Sequence, residues 1–166
     1  MRKSIGLGTE LGARKRSIGF SLIELVIVVV IIAIIGAIAI PKMSRGAAGA
    51  GDAALSQDLA VLRSALDLFA TENGGAYPAA GSVVAALTTY SDGAGNINPS
   101  KTTTYIYGPY LRSVPALPVG TLRKGQSGIA AADAATIGWL YTAATGTITA
   151  NTTTEADATG KLYLNY

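Results

Sequence analysis

Hydrophobic positions along this chain follow two rhythms. From Phe20 to Ile40 they are almost continuous, built from Ile, Val, Leu, Ala and Gly, with Glu24 as the one ionisable interruption. A run of about 20 residues rising ~1.5 Å each spans roughly the 30 Å hydrocarbon core of a bilayer. Arg14, Lys15 and Arg16 stand directly before it, which predicts a membrane helix whose basic end stays in the cytoplasm. From Asp52 the rhythm changes. Leu55, Leu59, Leu62, Leu66 and Phe69 recur at steps of four and three, while Asp58, Arg63, Asp67 and Glu72 fall mainly off that stripe. This is the pattern of an amphipathic helix packed on a core, and Asn73-Gly74-Gly75 supplies its stop signal.

Between the two helical patterns, Pro41 lacks a backbone donor and crowds the carbonyl of Ala37, which predicts a kink or local opening. Gly46, Gly49 and Gly51 each cost about 1 kcal/mol relative to Ala in a helix, so Pro41–Gly51 reads as a weak helix or as a flexible linker at the membrane surface. After the stop signal come Tyr77-Pro78 and a polar, Gly-rich loop through Asp92–Asn96. Pro109, Pro115 and Pro118 then mark an irregular, rigid segment, with Tyr rings available to cover the helix stripe. Thr136–Tyr141 and Gly146–Ala150 flank a short turn and read as a hairpin. Gly160–Tyr166 alternates polar and apolar residues and reads as a last strand. The expected fold is α+β: a long N-terminal helix, half transmembrane and half amphipathic, packed on a small antiparallel sheet of about three or four strands.

Charge changes the picture at one residue. A carboxylate inside a bilayer costs about 2.5–3.5 kcal/mol on mild insertion scales, so Glu24 either snorkels to the headgroups or finds a partner. A cut between Gly19 and Phe20 would create an α-amine four residues away, and an axially shifted neighbouring copy could present its own amine to the same carboxylate. Such pairing sets register, because any other offset leaves a charge unpaired in lipid.

The overall basic balance belongs to the first residues. Five of the 13 Lys and Arg precede Phe20 against Glu10 alone, a net +4, while the remainder carries eight basic and nine acidic residues, a net −1. A nucleic-acid-binding protein keeps its positive charge on the folded part, so none is expected as a partner. The chain has no Cys and no His, which removes disulfides, thiol nucleophiles and the commonest general base and metal ligand. No residue spacing supports Ser-Lys or paired-carboxylate catalysis, and an enzyme is not expected.

Arg14-Lys-Arg-Ser-Ile-Gly19, then Phe20-Ser-Leu-Ile-Glu24, then an apolar helix, resembles the class III signal of type IV pilins and type II secretion pseudopilins. The resemblance implies that prepilin peptidase cuts after Gly19 on the cytoplasmic side and methylates Phe20. It implies that Glu24 guides docking into a filament and that residues 20–73 form the family's long helix. The expected domains are a cleaved basic leader (1–19), a transmembrane or filament-core helix (20–41), the amphipathic half of the same helix (42–73) and a small globular pilin-like domain (74–166). Within the superfamily, Tyr77-Pro78 and Gly108-Pro109-Tyr110-Leu111 resemble the major pseudopilin of type II secretion. Its Pro-x-Asp-Pro-Trp-Gly turn departs here, with Leu117 for the Asp and Val119 for the Trp.

That group also binds calcium in a C-terminal loop. Glu155 and Asp157 in the Asn151–Gly160 segment are weak counterparts, because the expected Asp-Asp cluster and nearby Trp are absent; a solvated Thr-rich loop without a cofactor is favoured. The implied partners are further copies of the chain and minor pseudopilins in a helical filament, prepilin peptidase, an inner-membrane assembly platform and membrane lipid. The implied location is a single inner-membrane span with the C-terminal domain in the periplasm, then the pseudopilus. Two alternatives remain: a type IV pilus subunit, or a protein exported by an ordinary signal cut after Ala37-Ile38-Ala39 to begin at Ile40.

Overall fold

A computed structural model describes residues 19–166; the basic cluster Arg14–Arg16 and the rest of the expected leader before Gly19 lie outside the described residues. The chain divides into two compact units, Met1–Pro41 and Lys42–Tyr166. Helix α1 is assigned from Leu22 to Glu72, and the assignment is unbroken through Pro41 and the glycines that follow.

In the first unit, Leu22–Ile40 is a 19-residue apolar segment long enough to cross a membrane, with none of it buried within the structure. Its Ile and Val residues are β-branched and lose side-chain freedom in a helix. In lipid that preference is overridden, because a helix satisfies every backbone donor and acceptor within the segment. A helix apolar all round is one that expects lipid or protein on every side.

The second unit holds the core. Leu55, Leu59, Leu62, Leu66 and Phe69 are at most 2% exposed, so the predicted stripe is the buried face of α1. They pack in one cluster with Leu87, Leu111, Leu117, Trp139, Tyr141 and Ile148. The helix stops as the sequence predicts: Gly74 and Gly75 have φ of 73° and 84°, and the Gly75 N–H reaches back to the Ala70 carbonyl at 2.7 Å. That backward bond and the left-handed backbone form a Schellman-type end, which Gly adopts without steric cost.

Beyond α1 lie α2 (Val83–Thr88), β1 (Tyr90–Ser91), β2 (Ile97–Asn98), β3 (Gly128–Ala130), β4 (Ile137–Thr142) and β5 (Thr147–Ala150). Helix α2 and the antiparallel β1–β2 pair occupy part of what the sequence reads as loop. The predicted hairpin is present as antiparallel β4–β5, with Trp139 opposite Ala150 and Tyr141 opposite Ile148. The class is α+β, with helix packed on sheet.

Two expectations need correction. The sheet is not wholly antiparallel, since β3 pairs with β4 in parallel and the register shifts between Gly128 and Ile129. Gln126 lies so close to β4 that a Cβ on Gly138 would stand 2.1 Å from its carbonyl oxygen, so the approach of this strand requires glycine. The segment Gly160–Tyr166 is not a strand. It makes one antiparallel bridge, Ala156 to Leu162, and then a single 3-10 turn, Tyr163–Asn165. Asp157 Oδ1 accepts the Thr159 N–H, the Thr159 hydroxyl and the Lys161 N–H, and the Tyr166 hydroxyl donates to Oδ2. Local side-chain bonds curl the backbone there and outcompete the alternating pattern.

Candidate functional site

The site the sequence singles out is the start of α1. Phe20 is 83% exposed, and helix begins at Leu22, so Ser21 takes the N-cap position and Glu24 the third helical one. The Ser21 N–H donates to Glu24 Oε2 at 2.8 Å, while the Ser21 carbonyl accepts the first helical bond from the Leu25 N–H at 3.2 Å. This is the returning half of a capping box, S-x-x-E. The carboxylate therefore satisfies one of the orphan donors of the helix end and lies at the positive pole of the helix dipole. One carboxylate oxygen is occupied; the other has no hydrogen bond to the chain among the described residues. The Ser21-x-x-Glu24 spacing was legible in the sequence, where Glu24 draws attention through its charge and its role as a cap is missed.

The Tyr-Pro and Gly-Pro-Tyr-Leu segments both clasp the second unit. Tyr77 donates its hydroxyl to Asp67 on α1 at 3.0 Å, and Tyr141 donates to the Pro78 carbonyl at 2.9 Å in a buried position. The Tyr110 ring meets Phe69 edge-on, with centroids 5.6 Å apart. Its hydroxyl accepts from Asn73 Nδ2 at 3.2 Å and pairs with Ser91 Oγ at 3.1 Å. Both the Tyr110 and Leu111 N–H groups donate to the Leu87 carbonyl at 2.9 Å. A Tyr thus covers the end of the helix stripe, and Trp139 locks the proline segment by donating to the Pro115 carbonyl at 2.9 Å.

Glu155 and Asp157 are each engaged by protein donors. Glu155 Oε1 accepts the Thr121 N–H and hydroxyl, both at 2.6 Å. The bonds from Tyr166 and Thr159 hold the Asp157 carboxyl well below the usual carboxylate range, and the same contact pushes the Tyr166 hydroxyl up to about 12. Beside Glu155 a cavity of about 140 Å³ is lined by Arg123, Asp133 and Asn151–Glu155. Arg123 grips Asp133 through two bonds of 2.8 and 2.9 Å. This contact, with a further bond from Asn151, lowers Asp133 to about 2. Among the described residues no group of three or more His, Cys, Asp or Glu is arranged to hold a metal.

Residues 14–40 match the family model of the prokaryotic N-terminal methylation motif. The match supports a type IV pilin-like chain. It takes in Gly19, Phe20, Ser21 and Glu24 together with the apolar span, and it ends before the second unit begins. No curated protein matches the chain. No solved structure matches it either. The methylation motif indicates a structural subunit, and it implies prepilin peptidase processing and filament assembly in general. Motif and single apolar helix together fit a membrane-anchored protein.

Proposed function

We propose that this chain is a filament subunit cut after Gly19, N-methylated on Phe20 and assembled through Glu24 into a pseudopilus that drives type II protein secretion. The observation that carries the reading is the conjunction at the start of α1: a methylation motif over residues 14–40 and, within it, one carboxylate set at the head of a membrane-length apolar helix. The amine made by the cut would lie one residue from the Ser21 N–H that Glu24 already binds. The second carboxylate oxygen is then open to the amine of a neighbouring copy. Head-to-tail contacts of this kind do not close on themselves, so they propagate a helical filament. Before cleavage the leader lies in the cytoplasm and the C-terminal domain in the periplasm, as the basic cluster directs. Pro41 and the glycines after it supply a stretch of α1 that melts when subunits pack. Minor pseudopilins and an inner-membrane platform complete the assembly.

The pseudopilus is favoured over a type IV pilus by Tyr77-Pro78 and Gly108–Leu111, whose resemblance to the major pseudopilin coincides with their contacts to α1 and α2. Deletion of the gene in its host separates the two. The pseudopilin reading expects secreted enzymes to accumulate in the periplasm while surface pili persist; loss of pili with normal secretion would replace it with the pilus.

A further inference from the structure

Leu122 is held out in solvent, where an apolar side chain gains nothing. It is 80% exposed, more than any other large apolar residue of the second unit, although burial of such a side chain favours folding. Both of its neighbours are tied down. The Thr121 N–H and hydroxyl donate to Glu155 Oε1, both at 2.6 Å, and Arg123 donates to the two Asp133 oxygens at 2.8 and 2.9 Å. Behind them the Gly125 N–H returns to the Leu117 carbonyl at 2.8 Å. A lone exposed Leu on a loose loop is ordinary. One braced on both sides is a preformed knob, whose docking orders little that is not already ordered.

Elsewhere on the same unit α1 carries a second stripe. Gln57, Val61, Ser64 and Leu68 recur at steps of four, three and four, on the side of the helix turned away from Leu55, Leu59 and Leu62. With Tyr110 and Leu111 they line a groove of about 380 Å³ whose lining holds no charged residue. Val61 and Leu68 are 44% and 49% exposed within it. Asp58 stands on α1 one turn before Val61, and burial pushes its carboxyl up. Lys124 is exposed, two residues from Leu122. The one ion pair among the described residues joins Arg123 to Asp133, so neither Asp58 nor Lys124 takes part in one.

We propose that Leu122 of one copy seats in the α1 groove of a second copy, against Val61, Leu68 and Tyr110, with Lys124 meeting Asp58. Knob and groove are different surfaces, so each copy offers one of each. The contact is then heterologous and propagates instead of closing. The signs agree: a lysine stands beside the apolar knob and a carboxylate beside the uncharged groove. Such charge matching fixes orientation, which apolar contact alone does not. The proposal rests on the filament reading and adds to Glu24 a second contact, made between folded domains outside the bilayer.

The chain has no Cys, so thiols introduced at knob and groove are the only ones present. The full chain carrying Leu122→Cys and Leu68→Cys, produced in its own host and oxidised in the membrane fraction, should run on non-reducing gels as a ladder of dimers, trimers and longer multimers. Leu122→Cys with Ile106→Cys should give no ladder. Leu122→Asp should lower filament yield about tenfold or more and melt at the wild-type temperature. Lys124→Asp should lower the yield too, and the exchange Lys124→Asp with Asp58→Lys should recover it. Methylated filaments without a ladder, or normal filament yield from Leu122→Asp, would overturn the contact and leave the filament reading standing. An uncut chain with neither filaments nor ladder would overturn both. Dimers alone from Leu122→Cys by itself would set knob against knob and overturn the head-to-tail contact as well.

Discussion

Glu24 binds the backbone N–H of Ser21 at 2.8 Å, so the one carboxylate of the apolar span also caps the helix that carries it. Capping and docking place different demands on this side chain. A cap needs only an oxygen, while pairing with an amine needs a charge. Glu24→Gln separates them: it should be cut after Gly19 as wild type is, retain the helix start and fail to assemble. Filament yield by electron microscopy and leader removal by mass spectrometry measure the two. Normal filaments from Glu24→Gln would show that charge pairing is not what aligns the subunits.

Tyr141 joins the hairpin to the segment after α1 through its hydroxyl on the buried Pro78 carbonyl. Tyr141→Phe removes the donor and leaves that carbonyl buried without a partner, at a cost of about 1–3 kcal/mol. Urea unfolding should show a lower midpoint with an unchanged slope.

Two glycines should respond oppositely to alanine. At Gly138 the new Cβ would meet the Gln126 carbonyl at 2.1 Å, whereas at Gly49 nothing lies within 4 Å. Gly138→Ala should destabilise the domain by roughly 2 kcal/mol or more, since strand and neighbour must part. Gly49→Ala should raise helix stability by about 0.5–1 kcal/mol. If Pro41–Gly51 is the melting stretch, filaments of Gly49→Ala should also extend less under force.

Acid should loosen the junction between the 121–133 and 151–155 segments. Asp133 is lowered to about 2, first by Arg123 and then by Asn151, against an unfolded carboxyl near 3.9. A group whose folded pKa is depressed contributes stability above the unfolded value and loses it as pH falls through the folded one. Stability should therefore drop between about pH 4 and pH 2, and Asp133→Asn should flatten that part of the profile. NMR titration of the Asp133 carboxyl gives the midpoint directly.

The elements with long, strong periodicity were legible in the chain. The Leu55–Phe69 stripe, its Asn73-Gly74-Gly75 stop and the β4–β5 hairpin each follow from local rules that the core then reinforces. Helix α2 escaped because six residues are too few to show a helical period. The parallel pairing of β3 sets Gly128, Ile129 and Ala130 against Ile137, Trp139 and Leu140, which is a contact between segments and not a pattern within one. Gly160–Tyr166 alternates as a strand should, yet Asp157 takes its Lys161 N–H and its Tyr166 hydroxyl. At the candidate site the charge of Glu24 is conspicuous in the sequence, whereas its capping bond to Ser21 shows only once the helix start is placed at Leu22.

The central claim is that this chain becomes a filament subunit by a cut at Gly19. The most direct measurement is the N-terminal mass of the protein purified from its own membrane. The account predicts a chain beginning with N-methylated Phe20. A chain still beginning at Met1, or one beginning at Ile40 after an ordinary signal cut, would contradict it.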